Sequence, residues 1–198
     1  MAGIARFRDF VTTLTRMAEQ DPPEQRWLQE GARHLAELLR HDDWLPEPCA
    51  VPGPTYRQYL LHCDPLERFS VVSFVWGPGQ RTPVHNHTVW GLVGMLRGEE
   101  VSTEMVPGSL TGEPMRAGRV DRLRPGEVVA VSPNLSDIHV VENAVPDAAS
   151  ISIHVYGANI GAVSRSVFDP ATGAGRRFVS GYSNAAVPNL WDRSTEAR

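Results

Sequence analysis

The chain has 198 residues, 41% of them hydrophobic, with a formal net charge of −4 and an isoelectric point near 6.0. That is enough apolar material for one sizeable core, while the mild acidity and the absence of any Lys/Arg run argue against nucleic-acid or polybasic membrane binding. Sixteen Pro and seventeen Gly imply many turns, as in an all-β protein.

Ile4, Phe7, Phe10, Val11, Leu14 and Met17 recur at helical spacing over residues 4–20. Pro22-Pro23 interrupts the pattern, and Asp21 is a candidate N-cap for the next element. Trp27, Leu28, Leu35, Leu38 and Leu39 repeat the stripe over 24–40, so residues 1–45 read as two amphipathic helices. Pro46, Pro48, Pro52, Gly53 and Pro54 mark a connector.

Short apolar runs then follow: Tyr59–Cys63, Phe69–Trp76, Val89–Leu96, Arg119–Leu123, Glu127–Val131, Ile138–Val141 and Ser150–Tyr156. Each has strand length and is rich in β-branched or aromatic residues. Their spacing predicts an antiparallel barrel or sandwich over 50–182. The last 40 residues predict a strand or two and an exposed tail over 183–198, giving a single domain over 1–198. Cys49 and Cys63 are read as two reduced thiols. No stretch of 18 apolar residues or long leader-like apolar run occurs, so the expectation is a cytoplasmic, non-membrane protein.

The run Gly79-Gln-Arg-Thr-Pro-Val-His85-Asn86-His87-Thr-Val-Trp-Gly91 carries the strongest chemical signal. Two histidines two apart on a strand point to one face, and His139, on another apolar run, can complete a three-imidazole metal site. No carboxylate is obvious in the set. Gly79, His85, His87 and Gly98 resemble the first signature of the cupin superfamily, in which the position held here by Gly91 is usually glutamate. His139 and Asn143 resemble the second signature. Three neutral ligands leave Fe(II) its full charge, which favours an anionic donor such as a thiolate. Zn(II) on three histidines is the chemical competitor.

Ser152, His154 and Tyr156 fall at alternate positions, so a strand places all three on one face and Ile151, Ile153 and Val155 on the other. Such a row can form a hydrogen-bonded relay ending at the tyrosine hydroxyl. With the three histidines, it resembles the cysteine dioxygenase family of cupin thiol dioxygenases over roughly Tyr56 to Arg165. The resemblance implies a mainly β cupin barrel with two N-terminal helices, and one Fe(II) held by His85, His87 and His139. It also implies a Ser152–His154–Tyr156 triad, and oxidation of a thiol to a sulfinate by O2.

Some family members carry a cysteine crosslinked to the triad tyrosine. The matching position here is Leu92, so no Cys–Tyr crosslink is expected. Gln58 stands where cysteine dioxygenases carry a carboxylate-binding arginine, as in the bacterial branch acting on 3-mercaptopropionate. In that branch Arg165 would support the tyrosine and the substrate carboxylate. Trp76 and Trp90 are read as pocket walls. His34, His41 and His62 are read as ordinary surface or packing residues. The expected partners are a small thiol carboxylate and O2. L-cysteine dioxygenase, a Zn-dependent cupin and a non-catalytic ligand-binding cupin are the alternatives.

Overall fold

A computed structural model of the chain describes residues 2–110 and 112–190; residues 191–198 of the expected tail lie outside the described residues. Two helical segments precede a mainly β body. Helix α1 (Ala2–Glu19) buries Phe7, Phe10, Val11, Leu14 and Met17, the stripe its sequence sets. Asp21 is not a cap. Its N–H donates to Ala18 O and its φ is +45°, so it closes α1, while Pro23 occupies the N-cap position of the next helix without a side-chain hydrogen bond. That helix begins as α2 (Glu24–Arg26), passes through a π turn (Trp27–Gly31) and continues as α3 (Ala32–Leu39).

Eleven strands form two antiparallel sheets among the described residues. They are β1 (Arg57–Cys63), β2 (Ser70–Trp76), β3 (Val84–His85), β4 (Gly91–Arg97), β5 (Glu100–Val106), β6 (Arg116–Leu123), β7 (Val128–Val131), β8 (His139–Asn143), β9 (Ser150–Tyr156), β10 (Arg165–Phe168) and β11 (Gly175–Phe178). One sheet has the order β1-β2-β9-β4-β7 and the other β11-β10-β3-β8-β5-β6. This is the mainly β, jelly-roll architecture with a small helical N-terminal part. Strand β5 is an addition to the sequence reading, which placed no strand between Leu96 and Arg119.

The register of the first sheet assigns its two faces. Val71 and Val75 of β2 lie opposite Val155 and Ile151 of β9, and Leu92 of β4 also lies opposite Val155. These residues join the helical stripes in one core. The helices approach closely: a Cβ on Gly94 would sit 2.5 Å from Leu39 Cδ1, so any larger residue there would have to displace the α3 leucines packed on β4. The opposite face carries Val72, Phe74 and Trp76 beside Ser152, His154 and Tyr156. It looks across at β3, β8 and β10 of the second sheet, and the space between the sheets is the candidate site. Among the described residues no helix is long and apolar enough to cross a membrane.

Candidate metal centre

His85, His87 and His139 are all buried, and their ligand atoms lie within 4.8 Å of one another. Their ring centroids form a nearly equilateral triangle with sides of 4.9, 4.8 and 5.0 Å. His85 and His139 are directly paired across β3 and β8. His87 reaches the group differently from the sequence expectation. Strand β3 ends at His85, so strand alternation does not aim His87.

A clamp aims it instead. Asp137 Oδ1 accepts from the His87 backbone N–H at 2.9 Å and lies 3.0 Å from His87 Nδ1, and Asp137 Oδ2 accepts from Thr88 N–H at 3.0 Å. Thr88 adopts a left-handed φ of +61° to turn the chain there. Asn86 exchanges hydrogen bonds with Ser166 and fixes the turn from the other side.

Each imidazole thus has its Nδ1 engaged. His85 Nδ1 donates to Pro83 O (3.1 Å), His87 Nδ1 donates to the Asp137 carboxylate, and His139 Nδ1 lies 2.8 Å from Ser102 Oγ. A ring whose Nδ1–H donates keeps a lone pair on Nε2, the usual arrangement for a metal-ligating histidine. His139 Nε2 is buried with no hydrogen-bond partner, an orphaned polar atom that a cation would satisfy. Burial, reinforced by the neighbouring histidines, holds the His85 and His139 pKa values well below the usual imidazole value, so both rings are neutral. The three residues therefore fit a divalent transition metal. The carboxylate missing from the ligand set stands one hydrogen bond behind it, at Asp137. The sequence reading missed both Asp137 and Ser102.

Ser152, His154 and Tyr156 form the relay. Ser152 Oγ is 2.8 Å from His154 Nε2, and His154 Nδ1 is 2.8 Å from the Tyr156 hydroxyl. Trp76 Nε1 donates to Ser152 Oγ at 3.3 Å. The Tyr156 ring stacks on the His87 ring with centroids 5.5 Å apart, and His154 stacks on Phe74 at 4.2 Å. Burial raises the Tyr156 pKa despite the opposing Arg165 charge, so its hydroxyl stays protonated. Burial, with the His87 and His85 imidazoles nearby disfavouring a further proton, holds His154 neutral.

The residue facing the Tyr156 ring is Gly91. A Cβ there would stand 2.8 Å from ring carbons, whereas Leu92 points into the helical core. The position to compare with a crosslinking cysteine is therefore Gly91, one residue before the one the spacing selected.

Arg165 leaves β10 and enters the same cavity. It is 4% exposed, donates Nη2 to Ser180 Oγ at 2.7 Å and lies over the Phe178 ring at 4.7 Å. Its Nε has no partner, and burial lowers its pKa from the usual guanidinium value. Gln58 lines the cavity too, but its amide already donates to Ser180 Oγ (2.9 Å) and Gly181 O (2.6 Å). Ser183 and Asn184 extend this strap along β1 by bonding the backbones of Gln58 and Leu60. The strap is a role for Gln58 that the sequence did not suggest. Tyr56, stacked on Trp76 at 5.0 Å, is a further wall.

Trp76 borders the cavity as expected. Trp90 does not; it stacks on Trp27 at 4.8 Å beneath the helices. Asn143 is structural, with its amide donating to the carbonyls of Trp76, Gly77 and Ala148.

No family model matches the chain. Among solved structures it is similar to a double-stranded β-helix protein from Klebsiella pneumoniae, at 16% identity over 69% of this chain and 97% of that one, with a TM-score of 0.45. It is also similar to a cupin superfamily protein from Desulfitobacterium hafniense, at 15% identity over 60% of this chain and 94% of that one, with a TM-score of 0.43. An oxalate oxidase in complex with glycolate matches at 16% identity over 54% of this chain and 53% of that one, with a TM-score of 0.41.

Proposed function

We propose that the chain is an Fe(II)-dependent thiol dioxygenase of the cytoplasm, oxidising 3-mercaptopropionate or a close thiol carboxylate to its sulfinate with O2. One observation carries this reading. Three converging imidazoles, a tyrosine at the end of a hydrogen-bonded relay and a buried arginine with no ion-pair partner among the described residues all line one cavity. His85, His87 and His139 would hold a single iron, which when bound supplies the redox chemistry and a cationic anchor for a thiolate.

The remaining roles belong to side chains. A buried guanidinium whose Nε–H has no partner is costly and invites a carboxylate, for which Arg165 offers charge-assisted hydrogen bonds. The Tyr156 hydroxyl, fixed against His87 by His154, orients what binds beside it. Phe74, Trp76 and Tyr56 exclude water from the opposite wall. Among the described residues no acidic side chain lines this cavity, so the ammonium of cysteine would find no ion-pair partner in its wall. That favours a thiol carboxylate lacking the amine.

The test is oxygen uptake by the Fe(II)-loaded chain with 3-mercaptopropionate, cysteine, cysteamine and homocysteine. The expected result is sulfinate formation with the highest kcat/KM for 3-mercaptopropionate and little uptake with cysteamine, which has no carboxylate. Oxygen uptake with none of the four would overturn the assignment. A preference for cysteine would overturn the choice of substrate alone.

A further inference from the structure

Behind Ser152 lies a carboxyl group that the proposed chemistry leaves unused. Glu100 opens β5, opposite Leu123 of β6 and Asn143 of β8. It is 2% exposed, and neither carboxyl oxygen makes a close, well-aligned hydrogen bond. The Ser152 hydroxyl and the Trp76 indole N–H lie beside it. Its other surroundings are Ser102 of its own strand, whose hydroxyl is engaged with His139 Nδ1, and apolar side chains of β4, β6, β7 and β8, among them Val93, Leu123, Val129 and Val141. The ionisable groups that face it are His139 across a small cavity, and His154 and Tyr156 along the relay; among the described residues no arginine lines that cavity.

We propose that Glu100 is the inner terminus of the relay, a positioning residue whose carboxyl sets, through Ser152, which nitrogen of His154 carries the proton and which way the Tyr156 hydroxyl donates. Each member has only two consistent arrangements. When Glu100 is a neutral acid, its O–H donates to Ser152 Oγ, Ser152 donates to His154 Nε2, and His154 Nδ1–H donates to the tyrosine oxygen. The Tyr156 O–H is then free to donate into the metal cavity.

When Glu100 is ionised it can only accept. Ser152 turns to donate to it, His154 carries its proton on Nε2 and donates to Ser152, and Tyr156 donates inwards to Nδ1. One proton has left to solvent, and the cavity now faces an acceptor instead of a donor. Ser152 Oγ accepts from Trp76 in both arrangements and is saturated in both, so neither is penalised locally. Burial pushes the Glu100 pKa up to about 8, with Ser152 and Trp76 pulling the other way. The outward-donating arrangement is thus the neutral-pH form. Only donation into the cavity rests on the proposed function; the polarity of the relay does not.

The experiment uses the full chain loaded with diamagnetic Zn(II). Infrared difference spectra between wild type and Glu100→Gln should show a protonated-carboxyl band at pH 7 that fades with a midpoint near 8. Nitrogen NMR of His154 in wild type should report Nδ1–H at neutral pH and switch to Nε2–H over the same range. Glu100→Gln, whose amide N–H replaces the acid O–H, should hold Nδ1–H throughout. Its stability should also lose less as pH rises, because the wild-type carboxyl is protonated in the folded chain and ionised in the unfolded one between about 4.5 and 8. A missing band at pH 7 would overturn the proposal; so would a wild-type His154 tautomer that stays fixed across pH 8, a result that stands even if the glutamine variant does not fold.

Discussion

Strand β9 separates two regions that are equally removed from water and held by opposite means. Its outward residues Ile151, Ile153 and Val155 are at most 3% exposed and meet the helices through packing alone. Its inward residues Ser152, His154 and Tyr156 are at most 4% exposed and form a chain of hydrogen bonds. Burial of a hydrocarbon is favourable in itself. Burial of a hydroxyl or imidazole is favourable only when each donor and acceptor has a partner. The outward face is therefore defined by volume, and the inward face by direction. A perturbation of one should leave the other readable.

The largest effect is expected on the packed side. Ile153 is fully buried between β9 and the helical layer, and Ile153→Ala should lower unfolding free energy by about 2–5 kcal/mol. Denaturant melts measure this loss. The fraction that remains folded should still bind one metal per chain, as elemental analysis of the folded species would show. A variant that kept its stability and lost its metal would mean that the two faces are not separate.

The same contrast explains what could be read in advance. Where inside is apolar, periodicity is legible: the α1 stripe, the β2 run and the outward half of β9 all stand in the sequence as hydrophobic repeats. His85, His87 and His139 were legible because they stand at the histidine positions of the two cupin-like signatures, framed by Gly79, Gly98 and Asn143. Strand β5 was not, since its inward positions are Glu100 and Ser102, polar because they face the relay and His139. A strand whose core face is polar resembles a loop. Asp137 was invisible for a related reason. Its partner His87 is 50 residues away in sequence, so only the pairing of β3 with β8 brings them together. The reading of Leu92 failed by one residue because alternation sends Leu92 to the helices and leaves Gly91 against Tyr156.

The Asp137 clamp offers a sharper test of the polar side at lower cost to the fold. Asp137→Asn keeps the shape and one acceptor oxygen but removes the charge that holds His87 Nδ1–H. Metal affinity should fall by about 10–100-fold, as measured by competition with a chelator, with little change in melting temperature. An unchanged affinity would show that His87 needs no clamp to ligate.

The smallest effect should come from the strap, which belongs to neither face. Ser180 is exposed, yet its Oγ accepts from both Arg165 Nη2 (2.7 Å) and Gln58 Nε2 (2.9 Å), so one hydroxyl positions the two polar groups at the mouth of the cavity. A hydrogen bond of this kind is worth about 0.5–1.5 kcal/mol net, because water replaces it when it is lost. Ser180→Ala should therefore raise the KM of a thiol carboxylate by about 2- to 10-fold, the same energy expressed as binding. The metal and the relay are untouched, so kcat and metal content should hold. Ser180→Thr, which keeps the hydroxyl, should restore most of the loss. Equal KM values for the alanine variant and wild type would mean that Arg165 is placed by Phe178 and the walls of β10 alone, and that the strap only closes the barrel.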